Sequence, residues 1–270
     1  MPARFRSASG PLPARHAGAA GPSTLLPTPP AVIDPRALRG LTLDLDDTLW
    51  PVWPTIERAE AALHGWLAER LPAFARRHDP ARLAQLRREL AAEQPELAHD
   101  LSRLRLHGLR RALAAAGEDP ALAEPAFDVF LAHRQRVALF ADALPALRRL
   151  SARYPLVAVT NGNADLARIG LAGCFVASIS AGDVGVAKPH PAIFQAAAER
   201  LGLPPAALLH VGDDAWTDVQ ASLDAGWAAA AWVRRGGAPL GDDPALLELA
   251  RQPSVWLVDD LLALCGRLGA

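Results

Sequence analysis

The chain has 270 residues, of which 51% are hydrophobic and 21% charged, and its 28 basic and 29 acidic side chains nearly cancel. That length holds one large domain, or a domain carrying an inserted module, with ample core either way. The charge balance argues against a nucleic-acid partner, and no apolar run approaches the ~20 residues that span a bilayer. Two cysteines, Cys174 and Cys265, cannot make a disulfide framework, so a reducing, cytoplasmic setting is expected.

Residues 1–39 hold eight of the 24 prolines and no acidic residue before Asp34. Such a segment offers little periodic apolar surface to offset its ordering entropy and reads as a disordered extension or an over-extended start. It shows neither a secretory apolar region nor a convincing amphipathic period of a transit peptide. Leu41–Leu45 is predicted as a short buried strand ending in acidic residues.

From about Pro54 to Leu139 the pattern is helical. Apolar positions recur three and four apart in Ile56–Leu71, Leu83–Leu90, Leu97–Leu113 and Ala126–Leu139, with prolines 72, 80, 95 and 120 between the runs. Four helices and no strand are expected there. After Asp142 the texture alternates. Helices are predicted at Ala143–Arg153, Ala164–Leu171, Pro191–Leu201, Trp216–Ala225 and Leu261–Leu268. Strands are predicted at Leu156–Thr160, Val176–Ser180, Leu208–Gly212, Ala228–Val233 and Val255–Val258. Strand–helix alternation with short connections calls for a doubly wound, Rossmann-like α/β core with a parallel sheet. The helical stretch falls between its first and second strands. The expected division is therefore a core of residues 40–50 and 141–270 with an all-helical insertion, 51–140.

Ligands of open α/β sheets bind beyond the carboxyl ends of the strands. Those ends carry Asp44, Asp46, Asp47 and Thr48; Thr160, Asn161 and Gly162; Lys188 before a helix; and Asp213, Asp214 and Asp218. Carboxylates crowded on one rim repel one another unless a cation sits among them, and an all-oxygen donor set suits Mg²⁺. One carboxylate can attack phosphorus, and a second two residues later can protonate the leaving oxygen and then activate water. Lys188 is the single lysine among the 28 basic residues. A compact ammonium fits beside a phosphate where a planar guanidinium does not.

In that order, Asp44–Thr48 after an apolar strand, Thr160, Lys188 and Gly212–Asp218 resemble the four motifs of haloacid-dehalogenase-superfamily phosphatases, over the chain from about Leu41 onwards. The resemblance implies Asp44 as nucleophile and Asp46 as general acid/base. It implies Thr160, Asn161, Gly162 and Lys188 around the phosphate. Mg²⁺ would be held by Asp44, the backbone carbonyl of Asp46 and Asp213, with Asp214 and Asp218 supporting them. The insertion resembles a cap that closes over substrate.

Asp44–Leu49, Thr160–Ala164, His210–Val219 and Gln94–Arg105 further resemble a bacterial branch active on flavin mononucleotide (FMN) and on 5-amino-6-(5-phospho-D-ribitylamino)uracil. Residues Trp50–Glu60 depart from it where the chain enters the insertion, the part that bears on substrate identity.

Some residues carry two readings. Asp47 serves equally as a helix start or as an orienting group behind the site, and Asp218 equally as a first-turn helix stabiliser. His99, Arg103 and Arg110, at helical spacing, either meet the substrate from the insertion or form a solvated face. Trp50 and Trp53 are expected to pack the hinge, and His210 to support the core. The expected activity is a Mg²⁺-dependent phosphomonoesterase for a small phosphorylated metabolite, FMN or a riboflavin-pathway phosphate first. A phosphomutase, a phosphatase for another sugar phosphate and a non-catalytic binding protein stand as alternatives. Nothing in the residues specifies an oligomeric state.

Overall fold

A computed structural model describes residues 33–237 and 239–270. The extension expected over 1–39 lies outside the described residues as far as 32. From residue 33 the chain is already structured: Asp34 caps a 3₁₀ turn at Pro35–Ala37, Leu38 is buried, and the Arg39 N–H donates to the Ala207 carbonyl.

The first strand, β1 (Gly40–Leu43), is followed by five helices, α1 (Val52–Arg70), α2 (Pro72–Arg77), α3 (Pro80–Glu93), α4 (Leu101–Ala115) and α5 (Ala123–Arg134). Then come α6 (Ala143–Ser151), β2 (Leu156–Thr160), α7 (Leu166–Ile169), β3 (Ala177–Ser180), α8 (Ala181–Val184), α9 (Pro191–Leu201) and β4 (Leu208–Gly212). A π-helical turn, Ala215–Gln220, runs into α10 (Ala221–Asp224). The last elements are β5 (Ala229–Val233), α11 (Pro244–Arg251), β6 (Val255–Val258) and α12 (Leu261–Leu268).

All strand pairings are parallel, in the order β3-β2-β1-β4-β5-β6. Every residue of β1, β2, β4 and β5 is buried, which explains their continuous apolar runs: helices cover both faces of the sheet. Ala146, Leu150 and Leu264 pack on one face, Ile193, Phe194 and Trp227 on the other. The connections leave β1 in opposite directions, towards β2 and, later in the chain, towards β4. That switch point is where a crevice opens at the carboxyl ends of the strands.

The insertion has an apolar core of its own, with Leu63, Leu67, Phe74, Leu109, Leu113 and Phe130 buried together, and no strand among its residues. It has five helices instead of four because Pro72 starts a separate short one. The helix expected over Ala126–Leu139 stops at Arg134. Residues 136–140 return non-helical to the core, where the Phe140 N–H donates to the Leu49 carbonyl. The helix expected over Ala164–Leu171 is cut to α7 because Gly170, at φ 86°, takes the left-handed conformation that ends it. The short α8 and α11 escaped the periodicity.

Candidate active site

β1 delivers Asp44 to the rim. The Asp44 N–H still donates to the Val211 carbonyl, so the residue stays beside β4 although the strand ends at Leu43. Beyond it the chain doubles back, with the Leu49 N–H donating to Leu45 and the Asp47 N–H to Trp50. Asp47 adopts φ 60°, a left-handed conformation that Asp tolerates better than most residues, and its carboxylate accepts the Val52 N–H at 2.8 Å. Asp47 thus starts α1. The hinge is clamped by Arg235, which donates to the Thr48 carbonyl on the outgoing chain and to Asp142 on the returning one.

Lys188 lies between two carboxylates, its Nζ 2.6 Å from both Asp44 Oδ1 and Asp218 Oδ1, with all three groups buried. Asn161 fixes the lysine backbone by accepting the Lys188 N–H at 2.7 Å and donating to its carbonyl at 3.0 Å. Behind Asp218, His210 Nε2 lies 3.3 Å from Oδ1, and His210 Nδ1 lies 2.8 Å from the hydroxyl of Thr42, its register partner on β1. The Trp227 indole N–H donates to that hydroxyl at 3.0 Å. The arrangement is satisfied when Thr42 donates to Nδ1 and Nε2–H donates to Asp218, a neutral imidazole. Burial lowers the His210 pKa in the same sense.

Burial alone would neutralise this group of charges. For Lys188 the two carboxylates outweigh desolvation and hold the ammonium above its ordinary value. Asp218 is desolvated too, yet Lys188 and the His210 hydrogen bond hold it below the usual carboxylate range. Asp44 is pushed up to about 7, by burial first and, more weakly, by its carboxylate neighbours against the pull of Lys188. Asp213 is pushed up to about 9 by burial and by Asp44, Asp218 and Asp47, with the Thr48 hydroxyl at 3.1 Å as its side-chain donor. Carboxylate oxygens of Asp44, Asp213 and Asp218 lie within 4.8 Å of one another. One ammonium faces three carboxyl groups, Asp44 and Asp218 buried and Asp213 half-buried, and the donors are all oxygen. The cluster therefore fits a divalent cation such as Mg²⁺.

Thr160 is buried at the end of β2, and its hydroxyl accepts the Gly162 N–H at 2.9 Å, closing a tight turn. Asp46 faces this turn. Its Oδ1 accepts the Trp50 indole N–H at 2.8 Å, and both of its oxygens are held by Arg134 Nη2, at 2.8 and 2.7 Å. The neighbouring Gln135 donates to the Asn163 carbonyl and accepts the Asp165 N–H, tying the end of the insertion to the loop after β2.

A Cβ at Gly212 would lie 2.4 Å from the Asp218 carboxyl carbon. Asp218 cannot yield, since Lys188, His210 and the Asp214 N–H all hold it. Gly212→Ala is therefore expected to cost about 1–3 kcal/mol of stability, read as a lowered midpoint in chemical denaturation.

Asp44, Asp46, Thr160, Asn161, Gly162, Lys188, Asp213 and Asp218 come together at one rim. Asp214 turns outward to cap the π-helical turn, accepting the Trp216 and Thr217 N–H groups. His99 lies in a turn before α4, so it does not share a helical face with Arg103, which is exposed; Arg110 pairs with Glu124 inside the insertion. From α4, contact comes instead from Ser102, whose hydroxyl accepts the Asn163 side-chain amide at 3.1 Å. Trp50 is fully buried, but Trp53, expected to pack the hinge, is 60% exposed. Sequence reasoning missed Arg134 and Gln135 because the apolar spacing ran through them to Leu139. The available signal was an arginine and a glutamine at the point where the chain leaves the insertion.

The haloacid dehalogenase-like hydrolase family matches residues 38–226, more than half of the chain. The chain belongs to that family. Among curated relatives of this hydrolase is 5-amino-6-(5-phospho-D-ribitylamino)uracil phosphatase YigB of Escherichia coli (strain K12), 35% identical over 73% of this chain and 84% of that protein. Phosphoserine phosphatase of Thermus thermophilus is 36% identical over 50% of this chain and 55% of that protein. Among solved structures, that of a protein named 2-haloacid dehalogenase from Pseudomonas syringae pv. Tomato DC3000 superposes with a TM-score of 0.76. It is 36% identical, covering 86% of this chain and 98% of that one. Cys174 and Cys265 are both free, and among the described residues no helix is long and apolar enough to cross a membrane.

Proposed function

We propose that this hydrolase is a cytoplasmic, Mg²⁺-dependent phosphomonoesterase, with residues 51–140 acting as a cap over the core. The observation that carries this reading is the placement of Asp46: a second carboxylate, two residues after Asp44, on the rim that also holds Lys188 and the acidic cluster. Displacing a halide needs one carboxylate nucleophile; breaking a phosphate ester calls also for a proton donor to the leaving oxygen.

In the proposed reaction, Asp44 attacks phosphorus and the P–O bond to the leaving group breaks as Asp46 transfers a proton to the departing oxygen. Asp46 then takes a proton from water as that water attacks the aspartyl-phosphate, which returns Asp44 and releases phosphate. The Thr160 hydroxyl, the turn it closes through Asn161 and Gly162, and Lys188 Nζ orient the phosphoryl oxygens. Asp44, Asp213 and the carbonyl of Asp46 would hold Mg²⁺, with Asp218 steadying Lys188. When bound, the ion offsets negative charge on phosphate and carboxylates. The relative named for a ribitylaminouracil phosphate favours that compound as substrate, and the resemblance of the motifs sets FMN beside it.

The test is phosphate release from a metabolite panel that includes both compounds, phosphoserine and an aryl phosphate, with and without Mg²⁺. Metal-dependent release supports the reading. Chloride release from a 2-chloroalkanoate, with no ester hydrolysed, would replace it by the activity that the Pseudomonas protein's name carries.

Protonation gives a further expectation. Asp44 and Asp213, at about 7 and about 9, bind protons more tightly folded than unfolded, so stability of the metal-free protein falls as pH rises from about 4 through those values. A cation needs the same groups ionised. The gain in thermal midpoint from added Mg²⁺ is therefore expected to grow from about pH 6 to about pH 9. It is expected to vanish in Asp213→Asn. An equal gain at both pH values would contradict the assignment.

A further inference from the structure

Arg134 is the last residue of α5, and its side chain is 1% exposed. The ionic cluster inside the insertion does not use it: Glu60 is shared by Arg87 and Arg105, and Arg105 lies over the Phe130 ring at 3.5 Å. Arg134 instead reaches across to Asp46, 88 positions away, and takes both carboxylate oxygens with one nitrogen. Trp50 adds a third hydrogen bond to the same carboxylate. Gly162 makes room for the pair, since a Cβ there would lie 2.6 Å from Asp46 Oδ2 and 3.3 Å from Arg134 Nη2.

Arg134 Nη1 is buried and has no acceptor among the described residues, as Arg105 Nε has none in the insertion's own cluster, so the hold on Asp46 rests on Nη2.

We propose that Arg134 is a positioning residue for hydrolysis, holding the Asp46 carboxylate where it takes the proton of the attacking water. This rests on the reading of Asp44 and Asp46 as nucleophile and acid/base. Arg134 itself gives up and accepts no proton: the water proton goes to Asp46, the new P–O bond forms to the water oxygen, and the bond to Asp44 breaks. Its effect shows on the second step, where the Asp46 carboxylate has to lie in line with the attacking water, since the first step with an aryl phosphate needs no proton.

The two steps separate with p-nitrophenyl phosphate, whose phenolate departs without needing a proton. Rapid mixing of the full chain with Mg²⁺ and this ester is expected to show a near-stoichiometric burst of p-nitrophenolate in Arg134→Gln. A steady-state rate about 10²-fold below wild type, the scale of lost acid–base assistance, should follow, and Asp46→Asn should give the same pattern. The double variant Arg134→Gln/Asp46→Asn is expected to be no slower than Asp46→Asn alone, because both changes remove one function. Arg134→Lys, which keeps the charge, should restore part of the steady-state rate and carries the test if the glutamine variant does not fold.

Loss of burst and steady state together in a folded variant, an unchanged rate, or additive losses in the double variant would overturn the role of Arg134 and leave the phosphatase reading standing. If wild type releases no p-nitrophenolate, or Asp46→Asn matches wild type, the phosphatase reading itself fails and the role of Arg134 fails with it.

Discussion

Asp44→Asn is expected to give a folded protein whose phosphate release is lower by roughly 10⁴-fold or more, the scale on which removal of a covalent nucleophile acts. The amide keeps the size and planarity of the carboxylate but does not attack phosphorus. Stability should move the other way. Asp44 is 6% exposed and its carboxyl is pushed up to about 7 by burial first, so a neutral group in its place relieves repulsion with Asp213 and Asp218. Lys188 keeps its 2.6 Å contact with Asp218 and is not stranded. The thermal midpoint without Mg²⁺ at neutral pH is accordingly expected to be no lower than in wild type. Release kinetics beside thermal unfolding check both halves.

Lys188 is expected to matter to stability and turnover together. Lys188→Ala leaves Asp44 and Asp218 facing each other in a buried site without their cation, and removing one partner of a buried ion pair costs about 3–5 kcal/mol. The loss should be largest above about pH 7, where both carboxylates are ionised, and should shrink in acid as they protonate. Lys188→Arg retains the charge, but a planar fork does not reproduce an ammonium held at 2.6 Å from two carboxylates. That variant is expected to fold and to lose about 10²–10³-fold in kcat, as for removal of one oriented electrostatic group. Denaturant unfolding across pH, together with steady-state rates, reads both.

The sheet was legible in the sequence because its strands are buried on both faces and therefore continuous in apolar character, as in Leu156–Thr160 and Ala229–Val233. The rim was legible because short polar runs follow those strands at once, so Asp44, Thr160 and Asp213 needed only the sheet to be brought together. Lys188 stood out because every other basic residue is arginine.

What escaped depends on side chains converging from distant parts of the chain. Nothing in the period of α5 marks Arg134 as turning into the core, and His99 fell off its helix because α4 begins at Leu101. The link between His210 and Thr42 follows from strand register, which no single strand's sequence specifies. Asp47 and Asp214 belong to the acidic runs of the motifs, yet their carboxylates serve the local backbone, one at Val52 and the other at Trp216 and Thr217.

The most direct measurement is to acid-quench the protein during turnover of a phosphate ester with Mg²⁺ and to map the phosphoryl group by peptide mass spectrometry. A phosphoryl group on Asp44, absent from Asp44→Asn and accumulating in Asp46→Asn when the ester is an aryl phosphate, is the predicted result. Phosphate release with no modified Asp44 at any quench time, or a phosphoryl group carried by another residue, would contradict the account.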